Sequence, residues 1–410
     1  MVDKYRTADG CNNNVLFPHI GKSGSFYARS VTPKHIPNRL PDPGILFDAL
    51  LAREGSPEAH PNNISSMLFA FATLIIHDVF RTSDQDQNIV NVSSYLDLSP
   101  LYGANQDAQD SVRTFKDGKL KPDTFAEVRL LGQPPEVYAL PSYLLSLLTS
   151  LKSPMLLICF NRYHNYVAEQ LAMINEADRF SLPAGIKEAD TEAYNKAVTT
   201  RDNDLFQVAR LVTCSLYINI ATNDYVRTIL NLNKTNSKWN LDPRQDYTDF
   251  LGQDNLEEGL GNQVSVEFNL IYRWHSVISD RNEKFLNDFF QKLFPHTRAE
   301  DLTQVQFRAG MRTWAMGLPA DPGKRSFGGL CRDAGGRFKD SDLVNILTEA
   351  TEDVAGTFGA RQVPRALKPI EILGIQQARR WGVASLNEFR QHFGLLPHPT
   401  FSSINSDPGM

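Results

Sequence analysis

The chain has 410 residues, 41% of them hydrophobic and 22% charged, with a net charge of −5. That balance suits a globular protein with a large core and argues against a nucleic-acid partner, which usually needs a basic face. Its four scattered cysteines (Cys11, Cys159, Cys214 and Cys331) form no CxxC pair, which argues against both a disulfide framework and a structural zinc site.

In chain order, the opening "MVDKYRTADGCNNN" lacks the apolar core of a secretory signal. An intracellular location is expected, cytoplasmic or peripheral to a membrane or lipid body, and not secretion. Residues 1–62 are rich in Pro, Gly and Asn and read as an irregular arm of the same domain as the helical residues 63–410. "NNISSMLFAFATLIIHDVFRT" begins with capping residues and is apolar on every face, as a central buried helix would be. Its apolar stretch, residues 67–76, is about half the roughly 20 residues that span a bilayer. The next apolar run, 143–160, is interrupted by Lys152 and Pro154, so no transmembrane segment is expected. Further helices are predicted around 139–176, 202–231, 263–291, 302–315, 340–356 and 384–393, with few strand patterns, giving a mainly α fold. The glycine-rich run "PGKRSFGGLCRDAGGRF" (322–338) lacks phosphate-loop order and reads as a flexible surface connection.

Three features carry chemistry. In "EFNLIYRWHSVISD" (267–280), Leu270, Ile271, Trp274, Val277 and Ile278 fall at helical spacing, and Tyr272 lies one predicted turn before His275. His77 follows an apolar helix and precedes Asp78. Either histidine alone is more often a satisfied core residue. Two of them, inward-facing on separate buried helices, are what a haem needs: one as iron ligand, one as distal acid/base. In "VSSYLDLSPLYG" (92–103), Ser93, Asp97 and Ser99, the Tyr95 carbonyl and the neighbouring Asp78 form a set of hard oxygen donors suited to calcium. An Asx/Ser-rich turn accounts for the same residues equally well.

Together these segments resemble the haem peroxidase–cyclooxygenase superfamily, most closely the fungal fatty-acid dioxygenases known as linoleate diol synthases or psi-factor-producing oxygenases. "YRTADGCNNN" (5–14) is similar to the N-terminal signature of animal haem peroxidases, and "FATLIIHDVFRT" to their distal-histidine helix. "HD" with "SSYLDLSPLYG" resembles the peroxidase calcium loop, and "RTFKDGKLK" (113–121) a cyclooxygenase segment. "EFNLIYRWH" is similar to the cyclooxygenase Tyr-x-x-His motif, and "SLNEFRQHFGL" (385–395) to the helix behind the proximal histidine.

The resemblance implies haem b held between buried helices, with His275 as proximal ligand and Asn387 bonded to the other ring nitrogen of His275. His77 becomes the distal acid/base. Tyr272 becomes a tyrosyl radical that takes hydrogen from linoleic or oleic acid, after which dioxygen adds to give a hydroperoxide. Tyr225, Val226 and Ile229, within "NDYVRTIL", would line the acyl channel, and Val226 in place of leucine favours 8R over 10R oxygenation. The chain departs from the pattern at Thr73, which stands where a distal glutamine is common, and at Phe389, where cyclooxygenases have tyrosine. It also ends before the monooxygenase-like domain of the fungal fusions, which reads as a truncation. An ordinary haem peroxidase and a non-catalytic truncated remnant are the competing readings, and monomer against homo-oligomer stays open.

Overall fold

The computed structural model describes residues 4–36, 39–83, 85–126, 152–239, 241, 264–326 and 328–406. Its principal helices are α1 (Ser66–Val79), α2 (Lys152–Ile174), α3 (Thr191–Asn219), α4 (Val266–Ile271), α5 (Asp280–Leu293), α6 (Gln304–Met316), α7 (Asp340–Glu352), α8 (Lys368–Trp381) and α9 (Leu386–His392). Among the described residues the only sheet is a two-stranded antiparallel ribbon, β1 (Ser25–Phe26) with β2 (Ile89–Val90). The fold is mainly α, as the sequence indicates.

Helix α1 lies at the centre. Ser65 starts it by accepting the Met67 N–H, and its residues Phe71, Leu74 and Ile75 pack with Leu157 and Phe160 of α2 and with Phe206 and Tyr217 of α3. A second apolar cluster joins Leu286 and Phe290 of α5, Phe307 and Met311 of α6, and Ile370 and Leu373 of α8. Burying side chains of this size contributes about 1.5–3 kcal/mol each, so the two clusters supply most of the folding drive. The stretch between α4 and α5 bridges them, with Trp274 packed against the first and Ile278 against the second.

Two helix predictions need correction. The segment expected as one helix over 263–291 is two helices, α4 and α5, separated by eight non-α-helical residues, 272–279. Helix α8 falls where no helix was expected. Pro369 sits in its first turn, where a missing N–H costs nothing, and Gly382 closes it at φ +54°. The expected helix over 139–176 is present from Lys152, the earlier residues lying outside those described. The glycine-rich connection is anchored rather than loose. Arg332 donates to the Arg325, Gly336 and Asp123 carbonyls, and the buried Phe338 donates its N–H to Asp123. Among the described residues one helix, Thr191–Ile229, is long and apolar enough to cross a membrane by length and composition, and half of its apolar window is buried.

The N-terminal residues, helical over Pro43–Leu46 and Phe47–Leu51, run against the helices at many points. Ala28 bridges to Ser265, Ala52 to Val363 and Ser65 to Val354. The buried Glu267 carboxylate accepts the Ser30 and Val31 N–H groups, both at 3.0 Å. Glu267→Ala would leave the buried Val31 N–H unpaired, at a cost of about 1–3 kcal/mol. Chemical denaturation should register that loss, with faster limited proteolysis near residues 28–31.

Candidate haem site

The segment 272–278 departs from α-helix, and its last three carbonyls are claimed from outside. Tyr272 takes ψ 62°, and the 3₁₀ turn His275–Val277 follows. The buried Arg53 guanidinium donates to the Ser276 and Ile278 carbonyls at 3.1 and 2.9 Å, and the Gly356 N–H to the Val277 carbonyl at 2.8 Å. Arg53 also pairs with Glu283 on α5. Tyr272 and His275 are therefore not one helical turn apart; each is aimed separately.

Tyr272 points into the first cluster, among Phe80, Phe268, Trp274 and Tyr225, with ring centroids 5.9, 5.1, 5.5 and 6.4 Å away. Its hydroxyl donates to the Tyr225 hydroxyl. Tyr225 ends a π-helical turn, Ile220–Tyr225, that continues α3. Burial pushes the Tyr225 phenol up to about 12. It pushes Tyr272 higher still, with Tyr225 adding to the effect. Both phenols therefore remain protonated at neutral pH. Val226 and Ile229 are half-buried members of the same cluster, alongside Ile76, Val264 and Trp274.

His275 faces the other way. Its Nδ1 is 2.6 Å from Oε1 of Glu371 on α8. Burial raises the Glu371 carboxyl, but His275, then Arg273, outweigh it and hold the group below its ordinary range. A carboxylate only accepts, so Nδ1 donates this hydrogen bond, and Nε2 is the ring nitrogen that could hold a metal. This corrects the expectation for Asn387. That side chain sits on α9 and exchanges two hydrogen bonds with the His398 backbone, at 2.9 and 2.8 Å. The partner of His275 is Glu371, on the helix that sequence reading missed. The available signal was a carboxylate in the otherwise apolar run "KPIEILG".

On the opposite side, α1 presents Phe69 to Trp274 (5.7 Å) and is followed by Phe80 against Tyr272. His77 lies between these contacts and is 1% exposed. On α1, Met67, Leu68, Phe69, Thr73 and Ile76 keep partial exposure, as do Tyr272, Arg273, Trp274 and His275 in the segment after α4. The two elements meet through these aromatic contacts and carry one histidine each, His77 and His275, the residue type that would hold a haem and serve it. Thr73 does not replace a distal amide, because its hydroxyl donates to the Phe69 carbonyl of its own helix.

The five oxygen-donor residues also come together. Ser93 donates to Asp97 (2.7 Å), and the Ser99 and Leu98 N–H groups donate to the two Asp78 oxygens at 2.6 and 3.0 Å. The Arg6 guanidinium contacts Asp97 at 2.5 Å, and the Tyr95 hydroxyl donates to the Ile20 carbonyl. Both carboxylates and the Ser93 hydroxyl are thus engaged by protein donors, and a cation would have to displace them. Among the described residues no group of three or more His, Cys, Asp or Glu side chains is placed to hold a metal ion.

Comparison with known proteins places the chain in a family. The family model for animal haem peroxidases matches residues 5–89 and 81–408. The chain belongs to the animal haem peroxidase family. It is 54% identical over 406 residues to psi-producing oxygenase A of Aspergillus fumigatus, covering 98% of this chain and 35% of that protein. To linoleate 10R-lipoxygenase of the same fungus it is 50% identical over 405 residues, covering 98% and 34%. The chain thus spans about a third of the length of these relatives. The crystal structure of rice (Oryza sativa) fatty acid alpha-dioxygenase has the same fold, with TM-score 0.58, 17% identity, and coverage of 99% of this chain and 70% of that one.

Arg53→Ala would strip the outward anchors from the Ser276 and Ile278 carbonyls and leave Glu283 without its partner. The expected loss is about 3 kcal/mol, read by denaturant unfolding, and a weaker Soret band at equal haem.

Proposed function

We propose that this chain is a haem-dependent fatty-acid dioxygenase, an oxidoreductase acting on an unsaturated C18 acid such as linoleic or oleic acid and on dioxygen. The observation that carries this reading is the Tyr272 phenol, which is held by Tyr225 in an apolar cluster and lies three residues from the histidine best placed to ligate iron. The names of the relatives, psi-producing oxygenase and linoleate 10R-lipoxygenase, support the substrate class.

Bound haem supplies one-electron oxidising power after meeting a peroxide. His275 would hold the iron through Nε2. His77 would take a proton from the incoming peroxide and return it to the departing oxygen. Tyr272, having lost one electron and its phenolic proton, takes a hydrogen atom from the fatty acid, which restores the phenol and leaves a carbon radical. Dioxygen adds to that carbon. The resulting peroxyl radical takes the hydrogen back from Tyr272, giving a hydroperoxide and renewing the tyrosyl radical. Tyr225, Val226 and Ile229 position the acyl chain, and the small Val226 favours 8R over 10R addition.

Haem-loaded Tyr272→Phe should keep its Soret band and lose linoleate hydroperoxide formation to background. A Tyr272→Phe protein with full product yield would rule out the radical relay, and guaiacol turnover alone would leave an ordinary peroxidase. Val226→Leu adds one methylene to the channel, worth about 1–3 kcal/mol. It should move the 8R:10R ratio toward 10R by roughly tenfold or more, measured by chiral chromatography of the products.

A further inference from the structure

We propose that Glu371 is the positioning residue of the iron ligand: its carboxylate fixes the His275 tautomer and makes the imidazole a stronger donor to the metal. This deepens the haem reading above and rests on His275 being the proximal ligand.

Three residues on one face of α8 build the arrangement. Glu371, Gly374 and Gln377 are spaced i, i+3, i+6 and so lie along one stripe of the helix. Glu371 takes His275 Nδ1 at 2.6 Å, and Gln377 accepts from Arg273 at 3.1 Å. Between them, a Cβ on Gly374 would fall 1.7 Å from Arg273 Nη1. The absent side chain is what lets the guanidinium cross the helix. Arg273 therefore crosses the same face of α8 as Glu371, its guanidinium lying over Gly374 and bonded to Gln377.

An ionised acceptor on Nδ1 has a specific consequence. A charge-assisted hydrogen bond is about twice as strong as a neutral one. It draws the Nδ1 proton toward oxygen, gives the ring partial imidazolate character and raises the basicity of Nε2. A neutral amide in the same place would hold the ring's orientation with much less of this push. The site thus combines an anionic acceptor, a neighbouring cation and a glycine that makes room for it.

The test uses the full chain reconstituted with haem, and reads the iron–histidine stretch of the ferrous protein by resonance Raman together with the haem dissociation rate. The parent protein should show the stretch, and His275→Ala should lose it. Glu371→Gln, which keeps shape and removes charge, should shift the band to lower frequency and weaken haem retention by roughly 10–100-fold, with far-UV circular dichroism unchanged. Glu371→Asp, which keeps the charge on a shorter arm, should fall between the two. An unshifted band in folded Glu371→Gln or Glu371→Asp overturns the role of Glu371 while leaving His275 as ligand. A stretch that survives in His275→Ala overturns the ligand assignment itself.

Discussion

The site depends on one short run of backbone being denied helical hydrogen bonds. The carbonyls of Ser276, Val277 and Ile278 are taken by Arg53 and by the Gly356 N–H, which holds the run before α5 out of helix. An uninterrupted helix would place Tyr272 and His275 on neighbouring points of one surface. The break lets the phenol enter the α1 cluster while the imidazole turns to α8. The Tyr272 phenol and the His275 imidazole, three residues apart, thereby reach different parts of the core.

Charge placement around the site is correspondingly selective. Tyr272 sits in an aromatic cluster, and burial there keeps both phenols protonated. The ionised groups sit behind His275, where Glu371 and Arg273 compensate each other. A neutral phenol donates a hydrogen atom or receives one without leaving a buried charge, whereas a ligand imidazole gains from an anion behind it. The two sides of the site suit those different tasks.

Much of this was legible in the sequence, for identifiable reasons. The apolar run 67–76 with its Ser65 cap specifies a buried helix whatever surrounds it, and His77 follows directly. Tyr272 and His275 were legible as a pair, though their supposed helical relation was not, because the residues that hold the run before α5 out of helix are 220 or more positions upstream at Arg53 and about 80 downstream at Gly356. Helix α8 was missed because Pro369 and Gly374 both lower local helix propensity. Pro369 is harmless in the first turn, and Gly374 is explained only by the Arg273 side chain lying on it. With α8 missed, Glu371 was invisible, and Asn387 was given its role on motif likeness alone.

The central claim is that iron binds between the His77 and His275 rings, and anomalous diffraction at the iron edge from haem-loaded crystals tests it most directly. The account predicts a single peak within bonding distance of His275 Nε2, on the side facing α1, with Glu371 still on Nδ1. A peak bonded to another side chain, or lying elsewhere than between α1 and residues 272–275, would contradict it.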